Sequence, residues 1–238
     1  MSETVKEYAK RLKLSYLRAQ CSELSSEQLT FLEQIFEKEI EQREQSRINL
    51  LLKQAQLPQG GKEPFDWQHV QIPKSISKES IFEGNFISEK ENLILYGGVG
   101  VGKTYLSKLI GLNAITRFGH KVRFYTVAGL VNQLVDANQK GQLAKLMGQI
   151  DKLDLLILDE MGYIPLGKEG AELLFQVISM CYEQKSIIIT TNLQFGQWNH
   201  VFGNQILTEA VIDRLIHHSH LVIFTGESYR YRNSSMRD

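Results

Sequence analysis

A glycine-rich run near the middle of the chain has the composition of a phosphate-binding loop. Residues 97–104 read GGVGVGKT, which matches the pattern G-x-x-x-x-G-K-[ST] in full. Its glycines let backbone N–H groups approach phosphate oxygens where a Cβ would crowd them, and the following helix adds a positive field. Lys103 is expected to reach the β- and γ-phosphates of ATP, and the Thr104 hydroxyl to ligate Mg²⁺. The predicted nucleotide-binding residues of this run are Gly97, Gly98, Val99, Gly100, Val101, Gly102, Lys103, Thr104 and Tyr105.

Two later runs end in polar residues that could complete this site. Asp159 and Glu160 directly follow the aliphatic run LLIL at 155–158. The aspartate could hold Mg²⁺ through water, and the glutamate could be the base that activates water for attack on the γ-phosphate. Asn192 follows the run IIITT at 187–191, where it could orient that water. The polar residues that follow each run could instead belong only to a solvated turn or a helix cap.

Alternating apolar runs and amphipathic stretches place these residues on an α/β fold. Runs short enough for strands buried on both faces occur at 92–96, 122–127, 155–158, 187–190 and 221–224. Helical patterns lie between them, at 103–118, 128–151, 168–184 and 205–217. Strands that alternate with helices predict a parallel sheet between helices. The stretch 128–152 is longer than a minimal crossover, and it predicts two helices joined near Gly141.

The N-terminal part of the chain has a different pattern and predicts a small all-α domain. No glycine or proline occurs before Pro58, and good helix formers dominate. Ser25 and Gln28 have the spacing of a capping box that would start a long helix ending near Leu57. The run PQGGK then breaks the helical pattern. The predicted organisation is a helical domain for DNA or partner binding at 1–57, a linker at 58–63 and an ATPase domain at 64–238.

The composition excludes several classes of protein. The chain has 238 residues, of which 42% are hydrophobic and 23% charged, so a disordered or collagen-like chain is excluded. No apolar run is long enough for a transmembrane helix, and the first residues lack the apolar segment of a signal peptide. A soluble, cytoplasmic protein without a membrane partner is therefore expected. Cys21 and Cys181 are expected to be free thiols of a reducing compartment. Basic and acidic residues both number 27, so a DNA partner would need a local basic patch or many assembled copies.

The order of these motifs resembles one family of ATPases. GGVGVGKT, LLILDE, IIITTN, AVIDRL at 210–215 and GESYR at 226–230 together resemble the AAA+ ATPases of the DnaA/DnaC clade. The flanking runs DEMGYIPL and GESYR look most similar to the IstB-like transposition helper ATPases of insertion sequences, to which DnaC-like helicase loaders are close relatives. The resemblance covers residues 64–238 well and the N-terminal helices more loosely. It implies a P-loop AAA+ domain whose helical lid is reduced or absent, since only a short tail follows Phe224.

The resemblance also implies a homo-oligomer with ATP sites between neighbouring subunits. Asp213-Arg214 matches the family's arginine-finger position, so Arg214 would reach the γ-phosphate bound by the adjacent subunit. Without the resemblance, an arginine paired with Asp213 on an amphipathic helix is the simpler interpretation. Arg230 resembles the sensor arginine that acts within its own subunit, and Arg232 is an alternative two residues later. The predicted catalytic residues are thus Lys103, Glu160, Asn192 and Arg214.

Basic residues on two segments are candidate contacts with DNA phosphates. In the family resembled, an extra helix between the second strand and the acidic strand steers subunits into a spiral and faces a central DNA channel. Lysines on a surface helix are ordinarily only solvated. The basic residues of the N-terminal helix lie among glutamates that reduce its positive charge, and this helix could equally bind a protein partner. The candidates are Lys140, Lys145 and Lys152 on the extra helix, with Arg43, Arg47 and Lys53 on the N-terminal helix.

Two further groups of residues are interpreted as structural. His217, His218 and His220 precede the last predicted strand, and no acidic or cysteine ligand is expected to group with them. They predict a partly exposed turn rather than a metal site. Phe65 and Trp67 follow the predicted linker, where they could flank an adenine ring, although core packing is the preferred interpretation.

The preferred functional interpretation is an ATPase that assembles on double-stranded DNA and serves an IstA-like transposase. ATP would favour assembly, and hydrolysis through Glu160 and a neighbour's Arg214 would release or remodel it. The alternative is a DnaC-like loader that acts on a replicative helicase and single-stranded DNA. A small-molecule kinase with the same phosphate loop is a third interpretation. Glu160 and Arg214 argue against it, because a kinase deprotonates its own substrate rather than water.

Overall fold

Two compact units make up the protein. The computed structural model describes residues 2–60 and 63–232, and the chain divides into the units Met1–Leu50 and Leu51–Asp238. The boundary predicted from sequence lies further along, after residue 57. Gly61 and Lys62 of the predicted linker are outside the described residues, so that division stays a prediction.

Helices form the first unit. They are α1 (Ser2–Arg11), α2 (Ser15–Gln20) and all but the last residues of α3 (Ser26–Ala55), with a 3-10 turn at Cys21–Glu23. The predicted capping box is confirmed, because the Ser25 N–H donates to Gln28 Oε1 at 2.9 Å and the Gln28 N–H donates to Ser25 Oγ at 3.3 Å. Helix α3 ends at Ala55, just before the predicted end. The core of this unit consists of Val5, Ala9, Leu12, Cys21, Leu29 and Phe36.

The second unit alternates strands and helices, as predicted. Its strands are β1 (Val70–Gln71), β2 (Asn92–Gly97), β3 (Val122–Thr126), β4 (Leu155–Met161), β5 (Ser186–Thr191) and β6 (Ser219–Phe224). Its helices are α4 (Lys78–Glu83), α5 (Asn85–Ser88), α6 (Lys103–Phe118), α7 (Val127–Gln139), α8 (Leu143–Asp151), α9 (Lys168–Cys181), α10 (Asn199–Phe202), α11 (Gln205–Ile216) and α12 (Tyr229–Arg232). Helices α7 and α8 flank Gly141, which confirms the predicted pair. Within the described residues, none of the helices combines the length and the apolar character needed to cross a membrane.

A six-stranded sheet positions the predicted site. The strand order is β1-β6-β2-β5-β4-β3, and all neighbours pair in parallel except β1, which is antiparallel to β6. Strand β1 was not predicted, because two residues are too few to show a strand pattern. The apolar runs of β4 and β5 are fully buried, as expected for strands covered on both faces. Since β5 lies between β2 and β4, the carboxyl ends of these three strands meet at one edge.

Both cysteines are buried free thiols, as predicted. Cys21 belongs to the core of the first unit, and Cys181 ends helix α9 in the second. Burial raises the pKa of the Cys181 thiol to about 12. At neutral pH this thiol stays protonated, which makes it a poor nucleophile and a poor metal ligand.

Candidate functional site

The phosphate-binding loop connects strand β2 to helix α6 and depends on glycine for two different reasons. Gly100 and Gly102 have φ angles of +77° and +101°, a region that residues with a Cβ rarely adopt. At Gly100 a Cβ would also lie 2.2 Å from the Ser228 Oγ. The Tyr229 N–H donates to the Gly100 carbonyl at 2.9 Å. The segment after β6 therefore packs directly on the loop. Gly100 is needed for this packing as well as for the approach of phosphate.

Lys103 begins helix α6 and folds back over the loop. Its Nζ donates to the carbonyl oxygens of Gly97 and Gly98 at 2.7 and 2.5 Å. Burial lowers the pKa of Lys103 below its usual value, and the nearby Asp159 carboxylate partly opposes that shift. An ammonium group that has lost part of its hydration gains more from a neighbouring phosphate than a solvated one does. The position and environment of Lys103 therefore suit phosphate binding.

Thr104 and Asp159 lie together where a magnesium ion would be needed. The Thr104 Oγ1 donates to both Asp159 carboxylate oxygens, at 2.8 and 3.1 Å. Asp159 is buried at the end of strand β4, only 4% exposed. Mg²⁺ prefers oxygen ligands and keeps several waters, so a hydroxyl and one carboxylate beside the phosphate loop fit the ion. The structure thus brings together two residues that are 55 positions apart in the sequence.

Glu160 occupies an irregular position at the end of strand β4. Its φ angle is +63°, and the register of β4 against β5 shifts between Leu158 and Met161. Its backbone N–H donates to the Thr190 Oγ1 at 3.0 Å, while its side chain is exposed. A non-glycine residue in this region is held there by its surroundings. At this irregular position the exposed Glu160 directly follows the buried Asp159.

Thr190, on the neighbouring strand β5, connects the two acidic residues. Its hydroxyl donates to Asp159 Oδ1 at 2.5 Å and accepts the Glu160 N–H. Thr190 is 1% exposed, so water does not compete for these bonds. Thr190 is not among the residues predicted from the sequence. The feature of the sequence that could have indicated Thr190 is its polar side chain at the end of the apolar run III.

Replacing Thr190 with valine is expected to lower the rate of ATP turnover about 10- to 100-fold, with ATP affinity nearly unchanged. The lost hydrogen bond to a charged group is worth about 1.5–3 kcal/mol, and each 1.36 kcal/mol in the barrier is tenfold in rate. Steady-state kinetics should show the loss in kcat rather than KM, and Thr190→Ser should recover most of it. Wild-type kcat in a folded Thr190→Val protein would contradict the positioning role.

The other two predicted catalytic residues are placed differently. Asn192 is exposed and directly follows Thr191, which pairs with Met161, so it lies at the same sheet edge as Glu160. Arg214 is on helix α11, where its guanidinium lies 4.8 Å from the centre of the Phe175 ring and donates to the Ala210 carbonyl at 2.9 Å. In the described part of the chain, Arg214 forms no ion pair with the acidic residues of its own site.

Aromatic residues pack beside the loop. Phe65 and Trp67 meet edge to face with ring centres 4.8 Å apart, and Phe65 also contacts Tyr105 and Phe224, each at 6.3 Å. The Tyr105 hydroxyl donates to the Glu63 carbonyl. Phe65 and Trp67 therefore pack against other aromatic rings, in line with the preferred interpretation. Whether this cluster or Tyr105 also contacts an adenine stays a prediction.

The two candidate sensor arginines follow the loop-contacting residues Ser228 and Tyr229. Arg230 and Arg232 both belong to the short helix α12. Their side chains are outside the described residues, so the choice between them stays a prediction. The contact of Tyr229 with Gly100 places the start of α12 against the phosphate loop.

The candidate DNA-contacting residues are all exposed, and three of them pair with acidic neighbours. Lys140 lies 2.7 Å from Asp136, Arg43 lies 2.7 Å from Glu39, and Arg47 lies 3.6 Å from Glu44. Such surface pairs contribute roughly 0–1 kcal/mol, so they would yield readily to phosphate. The exposed candidates are Lys140, Lys145, Lys152, Arg43, Arg47 and Lys53.

The interpretation of the histidines needs a correction. Glu183 lies beside His217 and His218, so the expectation that no acidic ligand groups with them is wrong. The sequence hides this contact because Glu183 precedes a different strand. His220 is separate and buried, with its Nε2 2.8 Å from Glu91 Oε2 and its Nδ1 2.9 Å from Ser75 Oγ.

Comparison with known proteins identifies first the fold and then the family. The chain is similar to the DnaC helicase loader (TM-score 0.52, 22% identity, covering 61% of this chain and 86% of that one). It is also similar to the replication initiator DnaA bound to AMPPCP and single-stranded DNA (TM-score 0.53, 23% identity, covering 65% and 46%). These likenesses show that the chain shares the fold of these proteins, which agrees with the predicted AAA+ fold class.

The sequence comparisons are more specific. The model of the family described as IstB-like ATP binding protein matches residues 7–237. An ATP-binding protein of insertion sequence IS5376 from Geobacillus stearothermophilus is 37% identical over 248 residues, covering 100% of this chain and 98% of the relative. A counterpart from insertion sequence IS21 of Pseudomonas aeruginosa is 37% identical over 204 residues, covering 85% and 76%. The chain therefore belongs to the IstB-like family of insertion-sequence ATP-binding proteins.

Proposed function

We propose that this protein hydrolyses ATP, assembles as a homo-oligomer on double-stranded DNA and assists an IstA-like transposase in moving its insertion sequence. The observation that carries the enzymatic part is the chain of hydrogen bonds from Thr104 through Asp159 and Thr190 to the Glu160 backbone. These bonds support the proposal because they join Thr104, directly after the phosphate loop, to the buried Asp159 and to the residue that would be the base. Membership of an insertion-sequence family supports the biological setting.

Hydrolysis would proceed by attack of water on the γ-phosphorus of ATP. The Glu160 carboxylate takes a proton from the water, a bond forms from the water oxygen to phosphorus, and the bond to the β,γ-bridging oxygen breaks to give ADP and phosphate. Lys103 offsets the negative charge on the phosphates, and Asn192 orients the water. Thr104 and Asp159 would hold Mg²⁺, which would supply further charge neutralisation.

Arg214 would act on the ATP of a neighbouring subunit. It lies on helix α11 rather than in contact with its own acidic residues, and it is half-buried against Phe175. A planar guanidinium held by an aromatic face keeps several N–H groups free to bind phosphate oxygens. The finger and the phosphate loop would belong to different subunits, so bound ATP would hold the two subunits together. ATP would therefore favour assembly, and its hydrolysis would favour release of the subunits.

Binding to duplex DNA is expected to require nucleotide. The chain has no net charge, so one subunit offers DNA little attraction, whereas an assembly repeats its exposed lysines along the duplex. Fluorescence anisotropy can compare labelled duplex and single-stranded oligonucleotides of equal length, each with and without a non-hydrolysable ATP analogue. We expect tight binding only when the oligonucleotide is a duplex and the analogue is present. The affinity should fall steeply with salt, with a log–log slope of about −0.9 per neutralised phosphate.

Variants and controls locate the DNA surface. Replacing both Lys145 and Lys152 with alanine should make the DNA affinity depend less steeply on salt concentration. Replacing both Arg43 and Arg47 with alanine tests the N-terminal segment in the same way. Lys121→Ala, an exposed lysine outside both sets, serves as the matched control. Tight duplex binding without nucleotide would contradict nucleotide-dependent assembly. A preference for single strands would favour the alternative function, a DnaC-like helicase loader.

A further inference from the structure

Three side chains with metal-binding atoms converge on the edge of the sheet opposite the phosphate loop. Glu183 follows helix α9 just before strand β5, while His217 and His218 follow helix α11 just before strand β6. Strands β5 and β6 both run parallel to β2, whose carboxyl end leads into the phosphate loop. The amino-terminal ends of the strands therefore carry this cluster. It lies outside the nucleotide site.

The distances within the cluster are close to those of a metal site. Glu183 Oε1 lies 3.3 Å from His218 Nε2 and 3.9 Å from His217 Nδ1. One ligand atom from each of the three residues lies within 4.8 Å of both others. Tetrahedral zinc, with bonds of about 2.0–2.2 Å, holds its ligand atoms roughly 3.3–3.6 Å apart. Small side-chain rotations would bring all three atoms to that spacing.

We propose that Glu183, His217 and His218 form a binding site for a divalent transition-metal ion of the zinc type. Two imidazoles and one carboxylate are a ligand set that suits zinc, and a water would fill the fourth position. Imidazole ligands disfavour Mg²⁺ and Ca²⁺, which take oxygen ligands. The site is therefore chemically different from the Thr104–Asp159 pair.

The surroundings hold one of the ligands in place and occupy an atom of another. Glu183 has a φ angle of +57°, in a turn where the Gln184 and Lys185 N–H groups both donate to the Cys181 carbonyl at 3.0 Å. The Tyr182 hydroxyl lies 2.9 Å from His217 Nδ1. This contact uses the His217 atom that faces the cluster, so metal binding would release the Tyr182 hydroxyl.

A metal ion here would join the ends of two helices. Glu183 is attached to α9 and the histidines to α11, and the same helices are in contact through Arg214 and the Phe175 ring. Arg214 lies about one turn before His217. The ion would therefore stiffen the helix pair that presents Arg214, a consequence that rests on the proposed role of that arginine. Metal binding itself does not depend on that role.

Calorimetric titration of the untagged full-length protein with Zn²⁺ tests the site directly. Excess Mg²⁺ and the absence of ATP keep Zn²⁺ from the oxygen ligands of the nucleotide site. We expect one Zn²⁺ per chain, with affinity at least about tenfold weaker in His218→Ala and in Glu183→Gln, since each removes one of three ligands. His200→Ala, an exposed histidine on helix α10, should bind Zn²⁺ as the wild type does.

Thermal unfolding provides a second measurement. Because an ion that binds only the folded state stabilises it, Zn²⁺ should raise the Tm of the wild type and of His200→Ala by the same amount, and that of His218→Ala by less at the same Zn²⁺ concentration. Retained ATP binding would show that the variants are folded. Equal Zn²⁺ affinity in the wild type, His218→Ala and Glu183→Gln would overturn the proposal and leave only an ion pair. Neither measurement uses ATP hydrolysis or DNA, so this outcome would leave the proposed function untouched.

Discussion

Replacing Glu160 with glutamine is expected to abolish most ATP turnover while ATP binding is retained. Glutamine keeps the size of the side chain and one acceptor oxygen, but it cannot take a proton from water at neutral pH. General-base catalysis contributes about 10²–10⁴-fold, so kcat should fall by about that factor. Phosphate release, measured with the wild type and the variant at saturating ATP, gives the ratio. The positive φ angle of Glu160 is tolerated equally by glutamine, so stability should change little.

Two controls make this result specific. Glu172→Gln changes an exposed glutamate on helix α9, away from the loop, and should turn over ATP at the wild-type rate. The Glu160→Gln protein should still bind duplex DNA with ATP, and for longer than the wild type, because release depends on hydrolysis. Wild-type turnover in Glu160→Gln would show that another group activates the water. Loss of ATP binding would instead mean that Glu160 supports the site structurally.

Replacing Arg214 with alanine is expected to reduce ATP turnover by about 10³–10⁵-fold, the contribution of arginine fingers in other ATPases and GTPases. The effect should depend on assembly, since the finger would act on the neighbour's ATP. Turnover per subunit in the wild type should therefore rise with protein concentration and with duplex DNA. Arg117→Ala, an exposed arginine at the end of helix α6, is the matched control and should leave turnover unchanged.

Mixed assemblies distinguish a finger that acts between subunits from one that acts within its own. Lys103→Ala protomers lack a working loop but keep Arg214, and Arg214→Ala protomers keep the loop. Mixing the two inactive proteins should restore partial activity, because some interfaces then combine an intact loop with an intact finger. No recovery in mixtures that demonstrably co-assemble would contradict action between subunits. Lower activity of the dilute Arg214→Ala monomer than of the equally dilute wild-type monomer would do the same, because it would show that Arg214 acts within its own subunit.

Much of the fold and half of the nucleotide site could be predicted from local sequence. The run LLILDE shows both the buried strand β4 and the acidic residues that end it, because burial on both faces demands continuous apolar residues. The loop motif is equally local, since its function depends on consecutive backbone N–H groups. These features need no knowledge of distant contacts.

Features that depend on contacts between distant segments could not be predicted in this way. Thr190 contacts Asp159 only because β5 and β4 are neighbours with a shifted register. Glu183 meets His218, 35 residues later, because helices α9 and α11 end at the same edge of the sheet. Gly100 is required partly by Ser228, more than a hundred residues away. In each case the partner is set by strand order and packing, which a local pattern does not encode.

Electron microscopy of the protein with duplex DNA and a non-hydrolysable ATP analogue tests the central claim most directly. The claim is that ATP bound between subunits assembles this protein on duplex DNA. The expected structure has Arg214 of one subunit at the phosphate loop of the next, close to Lys103 and Glu160, with DNA in contact with the exposed lysines around helix α8. A nucleotide site open to solvent, with no neighbouring subunit and no ordered duplex, would contradict the claim.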